Sequence, residues 1–319
     1  AEYMGLPYCP FRLHRIELPL AMEEGSGVTN NEDSLWTQIE VAALRRLFPL
    51  RYFERHLTES IRPDARRLEE ARPTTIALGA VSSADGSALA KIGSTTMLAA
   101  IKLEVMKPLP ETPNEGCIAV DFHMPSICSS IARPGRTPEA APVISNQLSN
   151  VISCSRMIDL SELCISPGKS SWMAYLDVYC LDADGSLFDV ALLASVSAFF
   201  NLKIPVVSVK DDGKVVVLSE EEGKGQKRKL KIGSFPLSLT CVLYKSFVLA
   251  DPNEEEESIM ETIITVALSS DGKLLSFYKP GGAVMADTCT VQSCISLTKE
   301  RIKELYAILD EAASGKDVE

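Results

Sequence analysis

Asp182 and Asp184 stand one residue apart at the end of the apolar run "YLDVYCL", in "YLDVYCLDADGSLFDVALL". Two carboxylates at that spacing on a strand terminus could hold Mg²⁺ and divide nucleophile and general-acid duties in phosphoryl transfer. The same stretch admits a structural reading. Gly185 permits a tight turn, Ser186 is a helix N-cap type, and Asp189, three residues on, completes a capping-box-like arrangement favoured by the helix dipole.

Histidine chemistry has little material, since only His14, His56 and His123 occur. The nine cysteines are scattered with no Cys-x-x-Cys pair, which fits free thiols in a reducing compartment and no structural zinc. Neither metal nor cofactor is expected. A formal net charge of -11 argues against broad nucleic-acid binding and leaves three local basic patches to weigh against solvated surface. These are Arg62, Arg66 and Arg67; Arg133 and Arg136; and Lys224 to Lys231. The longest uncharged apolar stretch, Val190 to Leu202, is shorter than the roughly 18 residues of a membrane span. Residues near the start include Arg12, His14 and Arg15 without a continuous apolar core and do not read as a secretory signal.

The elements that would position these groups follow from periodicity. Residues 1–33 mix Pro, Gly, Asn and Glu without a pattern, and 1–48 are expected to be a disordered or poorly ordered extension. Leu50, Phe53 and Leu57 predict a short amphipathic helix from Pro49 to Glu59. Three strands follow, "TTIALGAV", "SALAKIG" and "STTMLAAIKLEV", with the turn "SSADG" between the first two. Residues 137–157 read as a helix whose apolar face holds Val143, Leu148, Val151 and Ile152. The strand "WMAYLDVYCL" and a buried helix from Leu187 to Leu202 complete the first half. A second β-rich block runs through "VVSVKDDGKVVVL", "FPLSLTCVLYKSFVLADP" and "IITVALSSDGKLLSFYKPGG" to a long helix from Thr290 to Ala313. Turns at "SSADGS" and "SSDGK" fall at matching points of the two halves. The expectation is two α/β domains, 49–203 and 204–319, each a mixed sheet packed against helices.

The Asp-x-Asp pair resembles the opening motif of haloacid dehalogenase-type phosphatases, but that motif opens its domain, and here an ordered hairpin precedes it. A wider resemblance accounts for more residues. "RPDARRLEEARPTT" (62–75), "SSADGSALAKIGSTT" (82–96), "LCISPGKSSWMAYLDVYCLDADGSLFD" (163–189), "LADPNEEEE" (249–257) and "KPGG" (279–282) together resemble the RNase PH family. Within that family they are most similar to ring subunits of the eukaryotic exosome, on its non-catalytic branch. The resemblance implies two RNase PH-like domains, sister ring subunits and RNA-binding cap subunits as partners, single-stranded RNA passing through the ring, and residence in nucleus, nucleolus and cytoplasm.

The resemblance also turns catalysis into a comparison of positions. Active members hold the attacking phosphate with an Arg before a helix and with a Gly-Thr-Arg turn after Asp-Gly, and a later Asp is the general acid. Phosphorolysis brings one anion onto another, so cations must gather both and a proton must reach the leaving oxygen. Arg136, in "RPGRTPE", matches the first Arg. The turn reads Asp184-Gly185-Ser186-Leu187-Phe188, with an aromatic ring where the guanidinium belongs, and the general-acid position falls at or next to Ile263. The expectation is therefore a non-enzyme with no catalytic residues, in which Asp184, Gly185, Ser186 and Asp189 form a turn and cap. Arg133 and Arg136 are candidates for touching RNA phosphates, or alternatively for salt bridges at a subunit interface. Readings left open beside it are an active phosphate-dependent 3'-to-5' exoribonuclease, a Mg²⁺-dependent phosphatase using Asp182 and Asp184, and a freestanding RNA-binding protein. In place of the family's Arg-Pro-Asp-Gly-Arg the chain has Ala65 where glycine stands, a cost of about 1 kcal/mol if the backbone there is left-handed.

Overall fold

A computed structural model describes residues 31–128, 140–209, 215–217, 227–260, 262–282 and 285–314, with side chains described from residue 39 onward and not in 208–217. The chain divides into two compact units after Pro49. The first contains a helix, α1 (Asn31–Leu47), so the expected poorly ordered extension holds regular structure in its later part. Its earlier residues, 1–30, lie outside the described residues.

The second unit opens with α2 (Pro49–Thr58), where Phe53 and Leu57 are buried as their spacing requires and Leu50 is exposed. Strands β1 (Thr74–Leu78), β2 (Gly86–Ile92), β3 (Thr95–Met106), β4 (Cys117–His123), β5 (Cys164–Ser166) and β6 (Ser170–Asp182) form one sheet in the order β1-β2-β3-β6-β4, with β5 on the start of β6. Among the described residues of this sheet, only β4 and β6 pair in parallel. The connection between them runs through α3 (Ala140–Ser155), which packs against β4, as a parallel pair demands. β4 is not among the strands expected from the sequence, although Ile118, Val120 and Phe122 alternate in it. The predicted helix over 137–157 is realised as α3, but Val143 is exposed while Leu148, Val151 and Ile152 are buried.

After β6 comes α4 (Leu187–Phe200), followed by the short strands β7 (Lys203–Ile204), β8 (Val207–Val209), β9 (Val215–Val217) and β10 (Arg228–Lys229). A second sheet is built from β11 (Pro236–Tyr244), β12 (Phe247–Ala250), β13 (Thr262–Ser269) and β14 (Leu274–Tyr278), in the order β12-β11-β13-β14. All its pairings are antiparallel, so the mixed pairing expected in both halves occurs in the first sheet alone. Between β12 and β13 lies a short helix, α5 (Glu254–Ile259), which takes up the acidic run of "LADPNEEEE". The long helix α6 (Thr288–Ala313) closes the described chain.

The composition of α4 explains the core. "LFDVALLASVSAFF" is apolar all round, so no face suits water, and every residue from Phe188 to Phe199 is buried. The helix lies against β2 and β3 on one side and β11 on the other, so the two sheets share one continuous core. Its interior hydroxyls satisfy themselves, with Ser195 and Ser197 donating back to Ala191 O and Leu193 O at 2.7 Å each.

Candidate functional site

The acidic turn between β6 and α4 is fastened from three directions. Thr95 Oγ1 donates to Gly185 O at 2.9 Å and accepts from Asp184 N at 3.1 Å. Arg72 Nη1 donates to Asp184 O at 2.5 Å and lies 3.6 Å from Asp184 Oδ2. From α5, Glu254 N donates to Asp184 Oδ1 at 3.2 Å, and Glu257 Oε1 accepts from Ser186 N at 2.7 Å. Asp182 ends β6 opposite Thr96 and is exposed. Asp184 is thus committed to a guanidinium and a helix terminus, which leaves it poorly disposed as a nucleophile.

The capping-box expectation is corrected by the geometry. Ser186 occupies the N-cap position with φ 49° and ψ 39°, left-handed, and makes no capping bond. Its hydroxyl donates instead to Pro252 O at 3.1 Å. Asp189 points away from the turn into the core, where it accepts from Ser238 Oγ at 2.5 Å and Thr240 N at 2.6 Å on β11. Burial pushes its carboxyl up to about 6 against the pull of these two donors. It is a bracket between α4 and the second sheet. The real capping box sits in α5, where Asn253 and Glu256 bond each other's backbone amides at 2.8 and 3.1 Å.

The first basic patch is explained by what surrounds Arg62 and Arg66. Arg62 is 1% exposed and donates to Leu68 O, Ala250 O and Asp251 O, with Glu256 at 3.5 Å. Arg66 is held by Asp64 at 2.6 Å. Arg72 meets Asp251 with two contacts, and Arg301 of α6 donates to Arg72 O at 3.1 Å and to Thr74 Oγ1. The segments "RPDARRLEEARPTT" and "LADPNEEEE" are therefore two sides of one buried ionic network, which sequence spacing could not join across such a separation. Arg62 and Arg66 are neither solvated surface nor a patch for RNA. In the Lys224–Lys231 run, residues 224–226 lie outside the described residues, while Arg228 and Lys229 form the exposed β10 and Arg228 donates to Glu162 O at 2.8 Å. Arg133 and Arg136 lie outside the described residues. Ala65 has φ 67°, so the position where the family pattern has glycine is left-handed in this chain.

Beside the turn lies a cavity of about 420 Å³ bounded by α3, Phe188, β13 and β14. Asn146, Gln147 and Asn150 face it from α3, Thr265 and Ala267 from β13, and Ser276 and Tyr278 from β14. Among the described residues that line it there is no carboxylate, no cation and no histidine. Ile263, the counted general-acid position, packs beside the small apolar cluster of Phe53, Leu57 and Val242 and is not part of that wall. Among the described residues, no group of three or more His, Cys, Asp or Glu is gathered for a metal ion.

Residues 70–205 match the 3' exoribonuclease family, domain 1, and residues 234–301 match domain 2 of the same family. The exosome complex component Rrp42 of Methanopyrus kandleri is 38% identical over 218 residues, covering 68% of this chain and 79% of that protein. The chain belongs to the RNase PH, or 3' exoribonuclease, family. The exosome complex component rrp43 of Schizosaccharomyces pombe is 29% identical over 81% of this chain and 93% of its own length. Among solved structures, a chain of the Archaeoglobus fulgidus exosome with RNA bound to the active site superposes with a TM-score of 0.71 at 27% identity, covering 84% of this chain and 98% of that one. A chain of an archaeal exosome core gives 0.68 at 25% identity, covering 86% and 99%. The two RNase PH-like halves expected from the quoted motifs are the fold observed.

Proposed function

We propose that this chain is a non-catalytic subunit of an exosome ring that supports assembly and the threading of single-stranded RNA during 3'-to-5' processing and decay. The observation that carries the reading is that, among the described residues, the lining of the cavity beside Phe188 is uncharged. Phosphorolysis needs cations to gather an attacking phosphate and the phosphodiester, and an acid to protonate the leaving oxygen. Here the first turn of α4 offers an aromatic ring and β13 offers Thr265 and Ala267.

Related exosome components from an archaeon and a yeast support the ring assignment. Within the ring, the pattern of replacements favours the eukaryotic non-catalytic branch and a subunit of the component-eight type. Its partners are then other RNase PH-like ring subunits, RNA-binding cap subunits and single-stranded RNA, and its residence is nucleus, nucleolus and cytoplasm. Arg133 and Arg136 belong to this reading as RNA-phosphate contacts of the assembled ring; removing both weakens RNA binding and flattens its salt dependence.

The test is the native mass of the tagged chain purified from its own cells. A multi-subunit particle with RNase PH-like and cap proteins is the expected result. A lone monomer or homodimer would remove the ring assignment.

A further inference from the structure

Gln147 lies on α3, and its buried Nε2 donor has no hydrogen-bond partner among the described residues. A buried amide donor left unpaired costs about 1–3 kcal/mol, so a ligand acceptor at this point would relieve a standing penalty. Gln147 also lines the cavity beside Phe188, together with Asn146 and Asn150 at spacings that share a helix face. The opposite side is formed by the aromatic residues Phe188 and Tyr278 with Thr265 and Ser276, the Thr265 hydroxyl being paired with that of Thr240 at 3.0 Å. At about 420 Å³ the cavity falls within the roughly 300–1,000 Å³ of small-molecule sites.

The chemistry of this lining is selective. Amide groups present paired donors and acceptors that match the edge of a heteroaromatic ring, and aromatic faces stack on its plane. Among the described lining residues there is no cation to hold a phosphate, while amides and rings are present. We infer that the cavity binds an uncharged nucleobase, stacked on Phe188 or Tyr278 and hydrogen-bonded along its edge by Gln147 and Asn150. The base has two possible sources, a free nucleoside or an unpaired residue of a single-stranded RNA. The inference rests on the reading that this site performs no phosphate chemistry, because a site built for phosphorolysis would order the phosphate first.

The experiment is titration of the full chain, by calorimetry and equilibrium dialysis, with adenosine, guanosine, cytidine and uridine, with inorganic phosphate, and with a short unstructured oligoribonucleotide. At least one nucleoside should bind, its 5'-monophosphate no more tightly, and inorganic phosphate should not compete. Gln147→Leu and Asn150→Leu should each weaken binding by tenfold or more. Both lie on α3 rather than on the all-apolar α4, and circular dichroism of each variant checks that the fold is kept; Phe188→Ala, which also thins the core, is the secondary variant. Displacement of the nucleoside by the oligoribonucleotide assigns the site to RNA residues, and failure to displace assigns it to free nucleosides. Absence of any nucleoside binding at millimolar concentration, or binding unaffected by both leucine variants, overturns the inference. The same samples are assayed for phosphate-dependent RNA degradation. Degradation there would overturn the non-catalytic reading, whereas no binding with no degradation overturns the nucleobase site alone.

Discussion

Arg72 and Asp251, separated by 179 positions in sequence, meet in the interior with Nη2 to Oδ1 at 2.7 Å and Nε to Oδ2 at 2.9 Å. Arg72 precedes β1 of the first sheet and Asp251 follows β12 of the second, so the pair ties the two family domains together. Burial opposes both charges, yet each partner outweighs it, leaving the arginine raised and the aspartate lowered from their ordinary values.

Removing one partner leaves the other charged and buried. Arg72→Ala or Asp251→Ala should lower stability by about 3–5 kcal/mol. Urea unfolding would read this as a lower midpoint, and an unchanged midpoint would deny the pair its joining role.

Gly185 has φ +73°, and a Cβ there would sit 2.4 Å from Pro252 O and 2.6 Å from Asn253 C. Both obstacles are backbone, held by Arg72 and by the α5 capping box, and cannot swing aside. Gly185→Ala should cost about 3 kcal/mol or more. At the other left-handed site, Ala65→Gly should stabilise by about 0.5 kcal/mol, because the Cβ strain removed slightly exceeds the chain entropy added to the unfolded state. Thermal melts of both variants check the opposite signs.

Burial pushes the Glu257 carboxyl up to about 7, and that of Asp189 to about 6. A carboxyl raised in the folded state favours the protonated form there. Its contribution is greatest below the unfolded value and is lost as pH rises through the folded one. Stability should therefore decline between about pH 4 and pH 7 through these two groups. Glu257→Gln keeps an acceptor for Ser186 N and cannot ionise. It should match the wild type near pH 4 and exceed it by about 3 kcal/mol at pH 8, with a flatter profile between. An identical slope in the two proteins would contradict the assignment.

How far the sequence discloses these relationships depends on range. Local pattern locates α2, α3, α4, α6 and the long strands, because periodicity and turn chemistry act within a few residues. It could also have shown β4, through its alternating Ile118, Val120 and Phe122, and α5, through Asn253 and Glu256 at capping-box spacing. What local pattern does not show is partnership across the fold. Arg62 and Arg66 look like a solvated basic patch until Asp251 and Glu256 fold against them, and Asp189 looks like a cap until β11 supplies Ser238 and Thr240. The cavity is equally invisible, since Gln147, Phe188 and Tyr278 come from three separate elements. The resemblance sets Phe188 where the family pattern has an arginine, an expectation that the sequence alone carries, and with Tyr278 this residue supplies the aromatic part of the cavity wall.

The central claim is that this subunit does no phosphorolysis. The most direct measurement incubates the pure chain with a 5'-labelled single-stranded oligoribonucleotide, with and without inorganic phosphate, and follows chain length and nucleoside diphosphate release. The account predicts an intact oligonucleotide under both conditions. Phosphate-dependent shortening from the 3' end, abolished by substitution of Phe188 or Asp184, would contradict it.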